Sequence, residues 1–192
     1  MTTSKKGIEL IKSFEGFSAR AYKCVPSEEY YTIGYGHYSP SVKASDTISM
    51  RDAEELLKDD LVYYEMQVDA WNEKYHFNSN EYDALVSFAY NIGSISQLTQ
   101  YGKRTKAEIA DAMLLYVHDG EGNTLEGLVR RREAERELFL TPVNVSRETY
   151  SENSTISDIV DGILKGEFGN DEARKEVIYD LIQGFVNKRL VN

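Results

Sequence analysis

The part of the sequence best suited to chemistry is a glutamate that ends an apolar helix pattern, just ahead of a segment rich in tyrosine and glycine. Glu15 precedes Gly16, and residues 30–37 read Tyr-Tyr-Thr-Ile-Gly-Tyr-Gly-His. A carboxyl group can transfer a proton, and tyrosine and glycine offer flat surfaces that a ring-shaped ligand can approach closely. Taken alone, however, Glu15 is more typical of an exposed or capping carboxylate, and the tyrosines are more typical of hairpin packing.

Charge and composition exclude several other kinds of site. The chain has 22 lysines and arginines against 32 aspartates and glutamates, and the net charge of −10 disfavours nucleic acid as a partner. A single cysteine, Cys24, and three histidines cannot form a disulfide framework or a Cys/His zinc cluster. Residues 34–36 lack the βαβ unit of a dinucleotide site, and residues 119–130 depart from the calcium-loop pattern. We therefore expect no metal and no cofactor.

No targeting or membrane-spanning segment is predicted. Residues 1–17 interrupt their apolar content with Glu9, Lys12 and Glu15, so the continuous apolar stretch of a signal peptide is missing. No stretch approaches the ~20 apolar residues of a membrane span. We therefore expect synthesis in a reducing cytoplasm, no membrane insertion, and a monomer.

Apolar periodicity and turn residues predict an α+β fold that is mostly helical, with a small β-hairpin region over residues 21–38. Five helices are predicted. The first begins behind the cap Thr3 or Ser4 and ends at Gly16, the second runs from Ser49 to about Tyr75, and the third opens at Ser79. The fourth runs from Thr105 to about Val117, and the fifth runs from Gly127 to near Leu140. Within the last helix, the triplet Arg130–Arg132 is, by itself, typical of a solvated helix face.

The last 50 residues differ from the rest of the chain. Residues 143–154 follow Pro142, are polar and show no periodicity, which is typical of a linker. Residues 155–192 contain three short helical patterns and few core residues, which predicts a minimal three-helix module. The predicted organisation is therefore one domain over residues 1–142, the linker, and the module.

Three blocks of sequence carry a family resemblance. They are Glu15 with Ala21-Tyr22 and residues 31–37, then residues 83–93 (Asp-Ala-Leu-Val-Ser-Phe-Ala-Tyr-Asn-Ile-Gly), then residues 127–136 (Gly-Leu-Val-Arg-Arg-Arg-Glu-Ala-Glu-Arg). In this order they resemble the phage-type lysozymes, glycoside hydrolase family 24. The resemblance implies a lysozyme-like fold and cleavage of the β-1,4 bond between N-acetylmuramic acid and N-acetylglucosamine in bacterial peptidoglycan. It also implies host lysis by an enzyme that leaves the host cytoplasm after a holin has permeabilised the membrane.

The resemblance also implies roles for individual residues. In this family a glutamate protonates the glycosidic oxygen, while a second group, usually aspartate, positions water together with a threonine. The matching positions are Glu15, Cys24 and Thr32. Arg131 matches the arginine that the family places beside its glutamate, and the implied outcome is inversion at the anomeric carbon. The expected sugar contacts are Tyr35, His37 and Tyr38.

Two features depart from the family pattern on the water side. Cys24 stands where the family usually has aspartate, and a thiol must ionise before it can act as a base. The segment between Cys24 and Thr32 is two residues longer than is common, and it contains Glu28 and Glu29. Either glutamate is an alternative base, although a solvated turn carboxylate is the plainer interpretation.

The tail resembles a second family, and two alternative functions stay open. Residues 163–170 (Ile-Leu-Lys-Gly-Glu-Phe-Gly-Asn), with Arg174 and the closing Val186-Asn187, are similar to the three-helix cell-wall-binding repeat of the Cpl-seven type. The alternative for the tail is a helical extension packed on the first domain. For the whole chain, the alternatives are a wall-binding protein that has lost catalysis and a transglycosylase or chitinase-like specificity on the same fold. The expected partner is bacterial peptidoglycan.

Overall fold

The computed structural model describes residues 1–143, so the predicted module and the predicted linker beyond residue 143 lie outside the described residues. The described elements, in chain order, are α1 (Lys5–Glu15), β1 (Ser18–Tyr22), β2 (Tyr31–Gly34), β3 (His37–Ser39), α2 (Met50–Tyr75), α3 (Ser79–Ile92), α4 (Lys106–Met113) and α5 (Glu126–Leu140). They confirm an α+β fold that is mostly helical, with its strands near the front.

The β region is a three-stranded antiparallel sheet in the order β1-β2-β3, and it is larger than the predicted hairpin. The middle strand pairs on both sides, because Thr32 lies opposite Tyr22 on β1 and opposite Tyr38 on β3. The first strand starts at Ser18, before the aromatic residues that signal it. A distant segment supports this start, because Ile48 N–H donates to the carbonyl of Ala19 at 3.0 Å.

Helix α1 delivers Glu15 to the sheet. The Ser4 side chain accepts hydrogen bonds from the backbone N–H groups of Lys6 and Gly7, which confirms one of the two predicted caps. At the other end, Gly16 adopts φ +70°, and its N–H donates to the carbonyl of Lys12. Because glycine tolerates this positive φ, the helix ends at Glu15, and the chain turns directly into β1.

Side-chain caps also mark the starts of the next three helices. Ser49 caps α2, and Thr105 caps α4 through a capping box, both as predicted. The third helix begins at Ser79, but its cap is the preceding Asn78, which forms a capping box with Glu81. Asparagine is as good a cap as serine, and the predicted start of this helix at Ser79 is confirmed.

The region between α4 and α5 differs from the prediction. Helix α4 ends at Met113 rather than near Val117. The reason is tertiary, because the carbonyl of Val117 accepts a hydrogen bond from the N–H of Leu125 at 2.8 Å and so belongs to a closed loop. The last helix begins at Glu126, one residue earlier than predicted, and its end at Leu140 is confirmed.

The core is built around α3. Its residues Asn80–Ala89 are all buried, and the helix packs against α1, α2 and α5. The interpretation of Arg130–Arg132 as a solvated face is wrong for two of the three residues. Arg130 is exposed, whereas Arg131 and Arg132 are buried between α5 and α3, where they contact carboxylate and backbone oxygens.

Neither a membrane span nor a metal cluster occurs in the described part of the chain. No helix within residues 1–143 is both long and apolar enough to cross a membrane. Over the same residues, no group of three or more His, Cys, Asp or Glu side chains could hold a metal ion. The thiol of Cys24 is free, and the residue is exposed.

Candidate active site

A cleft of about 450 Å³ lies where the end of α1, the turn between β2 and β3, and helices α2 and α3 meet. Its lining is mostly polar and aromatic: Glu15, Gly36, His37, Tyr38, Asp60, Tyr63, Tyr64, Tyr90 and Asn91. Three residues predicted from the sequence, Glu15, His37 and Tyr38, are therefore brought together in one place. An elongated polar ligand with flat faces fits such a surface.

The Glu15 carboxylate is held by an arginine from the far end of the domain. Arg131 Nη1 donates to Glu15 Oε1 at 2.7 Å, across 116 residues of sequence. The Arg131 side chain is only 4% exposed and the Glu15 side chain 22%, so the carboxylate faces the cleft while the guanidinium lies behind it. The guanidinium also lies over the Phe14 ring, 5.6 Å from its centroid.

Gly36 lets the turn between β2 and β3 approach Glu15 closely. Its φ is +93°, a conformation that residues with a Cβ rarely adopt. A Cβ at this position would lie 3.3 Å from Glu15 Oε2 and 3.4 Å from the Tyr90 hydroxyl. The backbone conformation therefore favours glycine, and a side chain here would also crowd the second oxygen of Glu15.

Three tyrosine hydroxyl groups share the environment of Glu15. Burial, followed by the charges of Asp60 and Glu15, raises the pKa of Tyr90 well above its ordinary value. Burial is also the largest cause of the raised pKa of Tyr64 and of Tyr22, and the Glu15 charge adds to both. All three phenols keep their protons at neutral pH, and the hydroxyl of Tyr90 donates to the carbonyl of Tyr35 at 2.9 Å.

His37 is fixed by a carboxylate on α2. Its Nδ1 lies 2.9 Å from both oxygens of Asp60, so that this nitrogen carries a proton and donates to the carboxylate. Burial raises the pKa of Asp60, and the hydrogen bond from His37 opposes that rise. The pair connects β3 to α2 across the cleft and sets the orientation of the imidazole.

The two tyrosines predicted as sugar contacts occupy different environments. Tyr35 is buried in the core, packs against Phe17 at 5.5 Å between ring centroids, and accepts a hydrogen bond from Tyr90 through its carbonyl. Its side chain therefore supports the turn from below rather than lining the cleft. Tyr38 is 48% exposed, lines the cleft, and packs against Tyr30 at 5.4 Å.

The longer turn after β1 is held together by its own polar groups. The backbone N–H of Cys24 donates to the Glu28 carboxylate at 2.7 Å, and Lys23 Nζ donates to the Glu28 carbonyl at 2.6 Å. Glu28 is half-buried, whereas Glu29 is exposed. Glu28 thus contributes to the structure of the turn through a solvent-exposed hydrogen bond, and its interpretation as a turn carboxylate stays a prediction.

The predicted water-side groups lie beside the cleft, outside its lining residues. Thr32 is buried in the middle strand, and Cys24 is exposed in the turn. Both are next to Tyr22: Thr32 is its strand partner, and Cys24 is the largest contributor after burial to its raised pKa. Glu15 contributes to the same shift. The Tyr22 phenol is therefore close enough to both the carboxylate and the thiol to be affected by their charges.

Sequence reasoning missed a buried charge cluster behind Glu15. Glu135, fully buried, accepts hydrogen bonds from Ser87 Oγ at 2.7 Å and Arg131 Nε at 3.1 Å, and it forms an ion pair with Arg132 at 2.9 Å. The Arg-Arg-x-x-Glu spacing of residues 131–135 was the available signal. No comparable signal marks Asp60, which lies in a long, highly charged helix.

The sequence of this chain matches a known protein family. The family model described as phage lysozyme matches residues 12–135. The chain is similar to the endolysin of Bacillus phage B103, with 44% identity over 91% of this chain and 68% of that protein. It is also similar to the endolysin of Lactococcus phage c2, with 41% identity over 86% of this chain and 69% of that protein.

Two solved structures are similar to the fold as well. The muramidase domain of SpmX from Asticaccaulis excentricus has 35% identity and a TM-score of 0.65, covering 73% of this chain and 99% of that one. The endolysin from Escherichia coli O157:H7 phage FAHEc1 has 32% identity and a TM-score of 0.63, covering 73% and 94%. The family match includes Glu15 and Arg131, the two residues that pair at the cleft. The chain belongs to the phage lysozyme family.

Proposed function

We propose that this chain hydrolyses the β-1,4 bond between N-acetylmuramic acid and N-acetylglucosamine, with Glu15 as the general acid. As a phage lysozyme, the chain is a peptidoglycan hydrolase that lyses the bacterial host. The observation that carries the proposal is the position of Glu15, which lies at the edge of the cleft with one oxygen bound to Arg131 at 2.7 Å.

The two oxygens of Glu15 have different surroundings, and this difference suits an acid. Oε1 accepts from Arg131, which fixes the carboxyl group. Oε2 faces Gly36, which has no side chain, and the Tyr90 hydroxyl lies near the same position. A proton on Oε2 could therefore pass to the glycosidic oxygen of a sugar chain in the cleft. When the bond breaks, Arg131 stabilises the carboxylate that remains.

On the water side we propose Cys24 and Thr32, as the resemblance implies. An inverting hydrolase needs its two groups far enough apart to admit a water between the second group and the sugar. Cys24 and Thr32 are both neighbours of Tyr22 and lie outside the residues that line the cleft with Glu15, which supports a separation from the acid. Glu28 and Glu29 are the alternative bases, because both lie in the longer turn between Cys24 and Thr32.

For sugar contacts we propose His37 and Tyr38, both of which line the cleft. The His37 ring is held by Asp60, so it can meet a ligand without a loss of side-chain freedom. Tyr63, which is 64% exposed on α2, offers a second aromatic surface along the same cleft. Tyr35 has a supporting role beneath the turn.

The activity test is release of reducing ends from purified peptidoglycan, followed by mass spectrometry of the muropeptides. Hydrolysis yields fragments that end in intact N-acetylmuramic acid. An anhydro-muramic end would instead indicate a transglycosylase, and fragments ending in N-acetylglucosamine would indicate the other glycosidic bond. Binding to the wall with no release of reducing ends would favour the non-catalytic alternative.

We further propose that residues 155–192 form a cell-wall-binding module and that the protein acts as a monomer. The enzyme would be made in the host cytoplasm and would reach the wall after a holin permeabilises the membrane. The support for the module is the sequence pattern of residues 163–170, and the length of the match to the Bacillus phage B103 endolysin, 181 residues, agrees with a relationship beyond the first domain.

Ending the chain after Val143 should leave a folded enzyme with weaker wall binding. The described residues contain a hydrophobic core of their own, built from α1 to α5, as expected of a domain that can fold alone. Activity on soluble glycan fragments should stay within about twofold of the parent, whereas binding to intact walls should fall by about tenfold or more through lost effective concentration. A sedimentation assay with whole walls measures this, and unfolding of the shortened chain would contradict the proposed modularity.

A further inference from the structure

We propose that Glu135 is a positioning residue for the acid: it fixes Arg131 against Glu15 and balances the charge of Arg132. The inference rests on the proposed role of Glu15. The residue does not reach the cleft, because its side chain is completely buried between α5 and α3. Its influence on the reaction must therefore pass through Arg131.

The geometry leaves the Arg131 guanidinium a single orientation. Its Nε donates to Glu135 at 3.1 Å, its Nη2 donates to the carbonyl of Ser87 at 3.2 Å, and its Nη1 donates to Glu15 at 2.7 Å. The guanidinium is planar and its donors form a rigid fork. The contacts with Glu135 and Ser87 therefore fix the direction in which Arg131 donates to Glu15. The Ser87 hydroxyl in turn holds Glu135 in place at 2.7 Å.

Charge balance gives Glu135 a second role. The cluster contains two guanidinium groups, Arg131 and Arg132, and two carboxyl groups, Glu15 and Glu135. An acid must carry its proton at the working pH, yet nearby positive charges favour the ionised form of a carboxyl group. Burial raises the pKa of Glu135, while Arg132, Arg131 and the hydrogen bond from Ser87 oppose that rise. As a carboxylate, Glu135 offsets one of the two positive charges in a buried site where electrostatic interactions are poorly screened.

The other groups near Glu15 do not supply this balance. The titratable or charged side chains around it are Tyr22 and His37 from the sheet, Asp60 and Tyr64 from α2, Tyr90 from α3, and Arg131 from α5. The phenols are neutral at working pH, and Asp60 forms its hydrogen bonds with His37 rather than with either arginine. Glu135 is thus the carboxylate in direct contact with both arginines of the cluster.

The test compares Glu135→Gln with the parent and with Glu133→Gln, a control on the exposed face of the same helix. Glutamine keeps the shape of the side chain and removes its charge. We expect kcat to fall about tenfold with KM within about twofold, because a misplaced catalytic group costs turnover. We also expect the alkaline limb of the pH–activity profile to move down by about one pH unit, because the added net positive charge makes Glu15 lose its proton more readily. Glu133→Gln should behave as the parent.

Two further variants separate charge from structure. Adding Arg132→Met to Glu135→Gln removes one positive charge and should return the alkaline limb to its parental position. Glu135→Asp keeps the charge but withdraws the carboxylate from Arg131, so it should lower kcat per folded molecule without moving the limb. If Glu135→Gln does not fold, the kcat of Glu135→Asp tests the positioning role of Glu135. A parental limb in folded Glu135→Gln, or a parental kcat in Glu135→Asp, would overturn the inference.

Failure of this inference can be told from failure of the proposed function. If the parent releases no reducing ends, or if the enzyme stays active without the Glu15 carboxyl, the proposed role of Glu15 is wrong. If Glu15 is essential and the Glu135 variants have the parental profile, only the positioning role is wrong. Thermal unfolding of every variant gives the folded fraction to which each rate is normalised.

Discussion

Replacing Glu15 by glutamine is expected to lower turnover on peptidoglycan by about 10²–10⁴, the usual contribution of general acid catalysis. Glutamine keeps the shape of the side chain and an oxygen that can accept from Arg131, which donates to Glu15 at 2.7 Å in the parent. It has no proton to transfer to the glycosidic oxygen. Binding to the wall should therefore survive, and the loss should lie in kcat rather than in KM.

A matched control for this change lies on the same helix. Glu9 is an exposed carboxylate on α1 that forms a surface ion pair with Lys12, so Glu9→Gln should retain parental activity and stability within about 0.5 kcal/mol. Release of reducing ends from purified peptidoglycan is the measurement. Near-parental hydrolysis by Glu15→Gln would remove Glu15 from the role of acid while leaving the fold assignment intact.

Substitution of Cys24 should have the second-largest effect. If the thiol orients or activates water, Cys24→Ser should lose most activity, because a hydroxyl ionises far less readily than a thiol. Cys24→Asp should recover part of it, since a carboxylate is the usual group at this position in the family. The side chain is exposed, so an alkylating reagent should inactivate the parent and spare the Asp variant.

The control for the thiol hypothesis lies in the same turn. Glu29 is exposed, and Glu28 is occupied by the backbone N–H of Cys24 at 2.7 Å, so Glu28→Gln and Glu29→Gln should both remain within a few-fold of parental activity. The opposite pattern would be a fully active Cys24→Ser and an inactive Glu28→Gln. That result would move the base to the longer turn and exclude the thiol.

Much of the fold could be predicted because its elements begin with local chemistry. Ser4, Ser49 and Thr105 each accept a backbone N–H two or three residues ahead, an interaction that the sequence itself specifies. The errors arose where a distant segment decides the outcome. The carbonyl of Val117 pairs with Leu125 and ends α4 early, and β1 is lengthened by pairing with residues near Ile48.

The site was less accessible from the sequence. Glu15 and Arg131 came from the resemblance to a family, because no periodicity relates two residues 116 positions apart. The burial of Arg132 was missed, since three adjacent arginines in an acidic protein usually lie in solvent, and only the packing of α5 on α3 brings Glu135 to meet them. Asp60 was missed because its partner, His37, lies on another element.

The stereochemistry of cleavage tests the central claim most directly. A soluble, uncrosslinked glycan fragment is digested at high enzyme concentration, and the anomeric protons of the new reducing end are followed by NMR before mutarotation. A single displacement by water, with Glu15 protonating the leaving oxygen from the opposite side, predicts that the α-anomer forms first from the β-1,4 bond. The β-anomer as first product would require a double displacement, by a nucleophile of the protein or by the acetamido group of the substrate, and would contradict the mechanism.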